Sequence, residues 1–190
     1  MSVRTPDPEP LPDEPSRPVN PGWLSDVELE EIRHRLPLLY VEAIPVRQDG
    51  LGQVTEVGIL LRGTALGAIT RTIVSGRVLY GETLRESLFR HLEKDLGPMA
   101  FPLLPASPVP FHVAEYFPLP GVSAFTDERQ HAVSLAYVVP VTGTCEPRQD
   151  ALEITWLTPE EASSDALAAE MEGGRGTLLR AALASVGALR

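Results

Sequence analysis

Between Gly76 and Pro98 the chain reads GRVLYGETLRESLFRHLEKDLGP, and the residue types in it that could do chemistry are Glu82, Arg90, His91, Lys94 and Asp95. Glu82 stands at the entrance to a predicted helix, and His91, Lys94 and Asp95 follow close together along it. Such a layout can place charged groups where a metal ion or a phosphate chain binds. It also holds a lysine where a cation site wants a carboxylate, and an ammonium repels a divalent ion. Arg71 and Arg77 flank the loop that opens the stretch. With Arg90 they offer forked donors, each able to hold two phosphate oxygens.

The pattern also shows what must position these side chains. Thr83 with Glu86 three residues on reads as a capping box. Leu84, Leu88, Leu92 and Leu96 recur every four residues, and Gly97-Pro98 ends the run, so a helix is expected over 83–96. Gly76 and Gly81 read as backbone requirements of a tight loop before it. Upstream, Ser25 and Glu28 form a second capping box, with Leu24 and Leu29 as a hydrophobic staple. That helix carries Leu29, Ile32 and Leu36 up to Pro37. Strands are expected at 38–46, with Pro45 marking an edge or a bulge, at 54–62, buried on both faces, and at 67–75. Turns at 47–53 and 62–66 join them.

Downstream come a proline-rich loop (98–110), a strand (112–119), a long polar loop (121–130), a central strand (131–141) and a short strand (151–158). Thr158-Pro159-Glu160-Glu161 starts a helix running to about Met171. A glycine hinge (173–176) and a last helix (177–186) complete the order. Strands with interspersed helices imply an α/β or α+β sandwich. Tyr116, Phe117, Phe125, Tyr137 and Trp156 are candidates for a base-stacking wall, most of them expected in the core.

Composition excludes several classes. The formal net charge is -10, with no basic run to offset it, which argues against nucleic acid and anionic membranes as partners. No apolar stretch approaches the length that spans a bilayer. The N-terminus lacks the apolar run of a signal peptide, and Cys145 is the one cysteine, so a reducing, cytoplasmic setting is expected. GxGxxG, the Walker loop, paired CxxC and GxSxG are all missing. Residues 1–22 contain seven prolines and read as a disordered or extended arm. A homodimer formed through this arm or an edge strand is a further expectation.

The 76–98 stretch resembles the box of the Nudix hydrolase superfamily: Gly, five residues, Glu, seven residues, then Arg-Glu-aliphatic-x-Glu-Glu-x-Gly-aliphatic. Gly76, Glu82, Arg90, Leu92 and Gly97 match, and Asp95 conservatively replaces the last glutamate. His91 and Lys94 stand where the family has glutamates, and Pro98 where it has an aliphatic. The resemblance extends over roughly 38–172. Trp156-Leu157-Thr158-Pro159-Glu160-Glu161 is similar to the strand-to-helix junction that closes many such domains.

The resemblance implies a Nudix-type α/β/α sandwich with a mixed β-sheet, one domain over 23–190. The 83–96 helix would line a groove rimmed by the 98–110 and 119–130 loops. The implied activity is hydrolysis of a nucleoside diphosphate linked to another moiety, by water activated beside Mg2+ or Mn2+. Glu82 and Asp95 would bind the ion with Glu115, or with Asp127 or Glu128 from the long loop. Glu82, His91 and Asp95 are the implied catalytic residues, and Arg71, Arg77, Arg90 and Lys94 the phosphate contacts. Histidine is a poor magnesium ligand, so His91 suits the role of a base held by a carboxylate. Two alternatives stay open. Lys94 can replace the metal electrostatically, or the domain binds a nucleotide or protein partner without catalysis.

Overall fold

The two most apolar runs pair side by side as parallel strands, and everything else is arranged about them. The computed structural model describes residues 23–63, 68–147 and 151–189; the 1–22 arm and most of the 62–66 turn lie outside them. The strands are β1 (Leu38–Gln48), β2 (Val54–Gly63), β3 (Ile69–Thr72), β4 (Val74–Arg77), β5 (Ala100–Pro102), β6 (His112–Phe117), β7 (Phe125–Thr126), β8 (Ala132–Gly143) and β9 (Ala151–Leu157). The helices are α1 (Asp26–Arg33), α2 (Leu84–Leu96), α3 (Pro159–Ala162), α4 (Asp165–Glu170) and α5 (Arg175–Ser185).

The sheet runs β3-β2-β1-β8-β6-β7, with β4 on β1, β5 on β8 and β9 on β2. It is mixed: β1–β8 and β6–β7 are parallel and the other pairs antiparallel. Parallel strands are covered on both faces, and two cores follow. Leu88, Leu92 and Leu96 of α2 pack on Val41, Ala43, Leu60, Val74 and Val139. Leu178, Leu179 and Leu183 of α5 pack on Ile44, Val46, Val57 and Ile59 from the other side. Each buried leucine contributes about 1.5–3 kcal/mol. The result is the expected α/β/α sandwich with a mixed sheet. Both predicted capping boxes form, at Ser25 and at Thr83.

Several boundaries differ, each for a local reason. Pro45 lies within the central strand, at neither an edge nor a bulge. On one side β1 pairs β4 through Tyr40–Ala43 and β2 from Val46 onward. Pro45 falls where one neighbour gives way to the other, so its missing N–H costs no ladder bond there. The segment 67–75 is two strands, because Thr72 pairs Leu60 of β2 while Val74 pairs Ala43 of β1. The loop 98–110 contains β5, and 121–130 contains β7. The helix from Thr158 stops at Ala162, and Ser164 caps a new one by accepting from the Leu167 N–H at 3.2 Å. α1 ends at Arg33, leaving Leu36 exposed. Gly173 and Gly174 take φ of +67° and +84°, and α5 starts directly after them.

Candidate functional site

Glu82 sits one residue before the cap of α2, and Arg90 reaches back to it from the second turn. Arg90 Nε donates to Glu82 Oε1 at 2.7 Å and its Nη2 to Oε2 at 2.8 Å. The Leu79 N–H also donates to Oε2, at 3.0 Å. The guanidinium fork is the main reason the Glu82 carboxyl is held down at about 2. Arg90 Nη2 further donates to the Arg77 carbonyl at 2.9 Å, and the Trp23 ring centre lies 6.0 Å from its guanidinium.

His91 Nε2 meets the same Arg77 carbonyl at 3.0 Å. A carbonyl only accepts, so Nε2 carries the proton. Burial, the largest influence, pushes the ring below the usual imidazole value. Its Nδ1 is buried without a hydrogen-bond partner. The ring lies against Gly76, where a Cβ would overlap Cε1, Nδ1 and Nε2. Gly76 belongs to β4, opposite Val41, and not to a loop. Glycine is needed there for close approach; Gly81 is the turn glycine, with φ +81°.

Asp95 is fully buried. Arg62 Nη2 of β2 lies 3.0 Å from its Oδ2, and Lys94 Nζ lies 3.2 Å from its Oδ1. The lysine contact is an ion pair without hydrogen-bond geometry, and Oδ1 has no hydrogen bond. Asp95 stands three residues after Leu92 and seven after Leu88, on the apolar stripe. A buried acid on such a stripe must have a cation; this signal could have prompted a search for one, and Arg62 was not among the residues singled out from the sequence.

The other candidates are not drawn together. Arg71 pairs with Glu170 of α4 at 2.6 Å, away from the box. Arg77 follows Gly76 in β4, so strand alternation directs its side chain away from α2; its carbonyl is what the helix uses. Glu115 is exposed on the α2 face of β6, in register with Val133 of β8, which pairs Leu39 of β1. Two strand spacings, about 10 Å, separate it from β1. Asp127 is held by the Arg129 fork at 2.9 Å and by Gln130 Nε2 at 3.0 Å. Its segment packs toward the α5 layer, where Phe125 and the Gly173-Gly174 turn meet. The 119–130 loop therefore does not rim the α2 side. Glu128 is exposed. Tyr116, Phe125 and Tyr137 are core; Trp156 lies under Arg47, 4.1 Å from ring centre to guanidinium.

A second buried network was not foreseen. Tyr116 Oη donates toward both oxygens of buried Glu42, at 3.1 and 2.9 Å, and Arg175 Nε donates to Oε1 at 2.9 Å. Burial and then Glu42 push the Tyr116 hydroxyl far up. This triad ties β1, β6 and α5 together.

The box residues do not fit a divalent cation. Glu82 is engaged by Arg90, and Asp95 by Arg62 and Lys94, so each acid already has its counter-charge. Among the described residues no three His, Cys, Asp or Glu side chains converge on a metal position, and Glu115 contacts neither acid.

A family model described as Domain of unknown function (DUF4916) matches residues 19–188. The chain belongs to the DUF4916 family. A structure from Jonesia denitrificans DSM 20603, described as a possible asymmetric diadenosine tetraphosphate (Ap4A) hydrolase, is 60% identical to it. That match covers 82% of the DUF4916 chain and 98% of the Jonesia chain, with a TM-score of 0.79. A NUDIX hydrolase from Nitrosomonas europaea shares the fold at 12% identity, TM-score 0.59, covering 79% and 90% of the two chains. So does the NUDIX domain of Shewanella oneidensis NrtR, solved with ADP ribose, at 15% identity, TM-score 0.56 and 80% and 90% coverage. No curated protein sequence matches the DUF4916 chain. By this architecture it has a Nudix-type fold, and against the Nudix box its divergence falls on His91 and Lys94. No helix among the described residues is long and apolar enough to cross a membrane.

Proposed function

We propose that this domain binds a small molecule carrying a nucleoside diphosphate or a longer phosphate chain, and that its box is a recognition scaffold in place of a metal-activated hydrolytic centre. The observation that carries this reading is the ion pairing of both box acids: Glu82 in the Arg90 fork, and buried Asp95 between Arg62 and Lys94. A carboxylate already matched to a cation has little to offer a hard ion. His91, neutral and bonded to a backbone carbonyl, has no carboxylate to orient it as a base.

The ligand class is supported by the Jonesia relative, whose description names a dinucleoside polyphosphate. The α2 face also offers room. Leu39 and Val113 are 42% and 52% exposed, and with Val133 and Glu115 they form an uncovered patch on the sheet. Val78, in the box loop, donates its N–H to the Leu39 carbonyl at 2.9 Å, so this patch adjoins the box.

The description of the same relative favours a second reading, hydrolysis of a dinucleoside polyphosphate with a divalent cation. One experiment separates the two. ADP ribose, Ap4A and nucleoside diphosphate sugars are titrated calorimetrically, and the same panel is assayed for hydrolysis with and without manganese. Binding without turnover is the expected result. Manganese-dependent turnover that disappears in E82A/D95A, with the variant still folded by circular dichroism, overturns the recognition reading in favour of the second.

A further inference from the structure

We infer that Lys94 and Arg62 take the place of the divalent cation: the box carries its own positive charge and excludes the metal ion. Asp95 is fully buried, and a buried carboxylate is destabilising unless a partner offsets its charge. It has two partners from different elements, Arg62 at the far end of β2 and Lys94 beside it on α2. Two cations on one carboxylate leave a net positive charge, in a chain whose formal total is -10. Both cationic side chains keep about a quarter of their surface exposed, 24% and 25%, so an anion in solution can reach them while they hold Asp95.

The same arrangement rejects a metal. Like charges a few ångströms apart repel strongly near a protein surface, and a divalent ion on Asp95 meets Lys94 and Arg62 together. One carboxylate cannot offset that. The cluster still has donor capacity on its exposed side, because Lys94 Nζ meets Asp95 only as an ion pair, outside hydrogen-bond geometry. A phosphate chain supplies acceptor oxygens and negative charge together. That last step rests on the recognition reading above; the exclusion of metal does not.

The test uses the full chain and Mn2+ alone, followed by electron paramagnetic resonance. The wild type takes up no ion at millimolar Mn2+, whereas K94E gains a site that K94E/D95N loses. H91E/K94E, which restores both glutamates of the family pattern, binds more tightly still. Wild-type uptake that D95N removes overturns the inference. So does failure of both folded glutamate variants, judged by circular dichroism, to take up the ion. In a separate arm, ADP ribose is titrated in EDTA. Its affinity there equals that in magnesium, falls about tenfold in K94M, a loss near 1.4 kcal/mol, and is kept in K94R. If wild type binds no nucleotide or nucleotide sugar while the Mn2+ arm behaves as stated, the recognition reading falls and the charge substitution stands.

Discussion

Gly76→Ala tests the packing that holds the box together. A Cβ at this position overlaps three atoms of the His91 ring, and neither side has room to yield: β4 is paired to β1, and His91 is buried on α2. Overpacking a well-filled site costs typically 1–3 kcal/mol. Displacing the ring also breaks the bond from Nε2 to the Arg77 carbonyl, a further 0.5–1.5 kcal/mol or so. The expected loss is about 2–4 kcal/mol, or roughly 5–15 °C in Tm for a domain of this size. The cause is specific, so it can be isolated. H91A removes the ring and opens space for the new methyl. In that background G76A should cost less than about 1 kcal/mol, since alanine suits a strand better than glycine once the clash is gone. Urea denaturation of the four proteins of this double-mutant cycle gives the coupling energy. Additive costs, or a harmless G76A in the wild type, would refute the argument that this glycine exists for the histidine.

Two other consequences follow from the buried charges. Glu82 titrates near 2 in the folded chain against about 4.5 unfolded, so its contribution is fully present above pH 4.5 and is lost as pH falls toward 2. Allowing for solvent screening, wild type should exceed E82Q by about 2 kcal/mol at neutral pH. The gap should close between pH 4.5 and 2 in denaturation profiles; a gap independent of pH would assign the effect to something other than ionisation. Tyr116→Phe leaves buried Glu42 with Arg175 alone and should cost about 1–3 kcal/mol without changing nucleotide affinity. A change in affinity would place the Glu42 triad in ligand binding.

The frame was legible in the residues wherever one local rule and one packing rule agreed. α2 is the clearest instance: a capping box at Thr83, leucines every four residues and a glycine stop all name the same segment, and the leucines are the ones buried on the sheet. The strand at 131–141 was legible because a long, mostly apolar run with Val133, Val138, Val139 and Val141 suits the centre of a sheet. Legibility failed where the neighbour changes within a continuous run. Nothing local in ITRTIVS says that Thr72 faces β2 and Val74 faces β1, because that exchange is set by where β1 lies. Pro45 misled for the same reason. Its missing donor is tolerated at the point of exchange, a tertiary fact, and local reasoning sent it to an edge or a bulge.

The site divides along the same line. Spacing identified Glu82, Arg90, His91, Lys94 and Asp95, and the first two do meet as a pair. Spacing could not say what each acid faces across the sheet. Arg62 lies 33 residues from Asp95 in sequence, and Arg71, which borders the box in sequence, is turned to Glu170 on α4. A motif lists the residues one segment contributes; the charge they experience depends on the strands beneath them. This is why a lysine in the box is more than a missing glutamate. Loss of one carboxylate alone would leave a weaker cation site on those that remain. Lys94 adds an opposing charge and, with Arg62, consumes Asp95 as well, so one substitution turns a place for a cation into a place for an anion. A folded K94E variant should therefore gain affinity for Mn2+ and lose affinity for the phosphate chain together; either change without the other would separate the two halves of this reasoning.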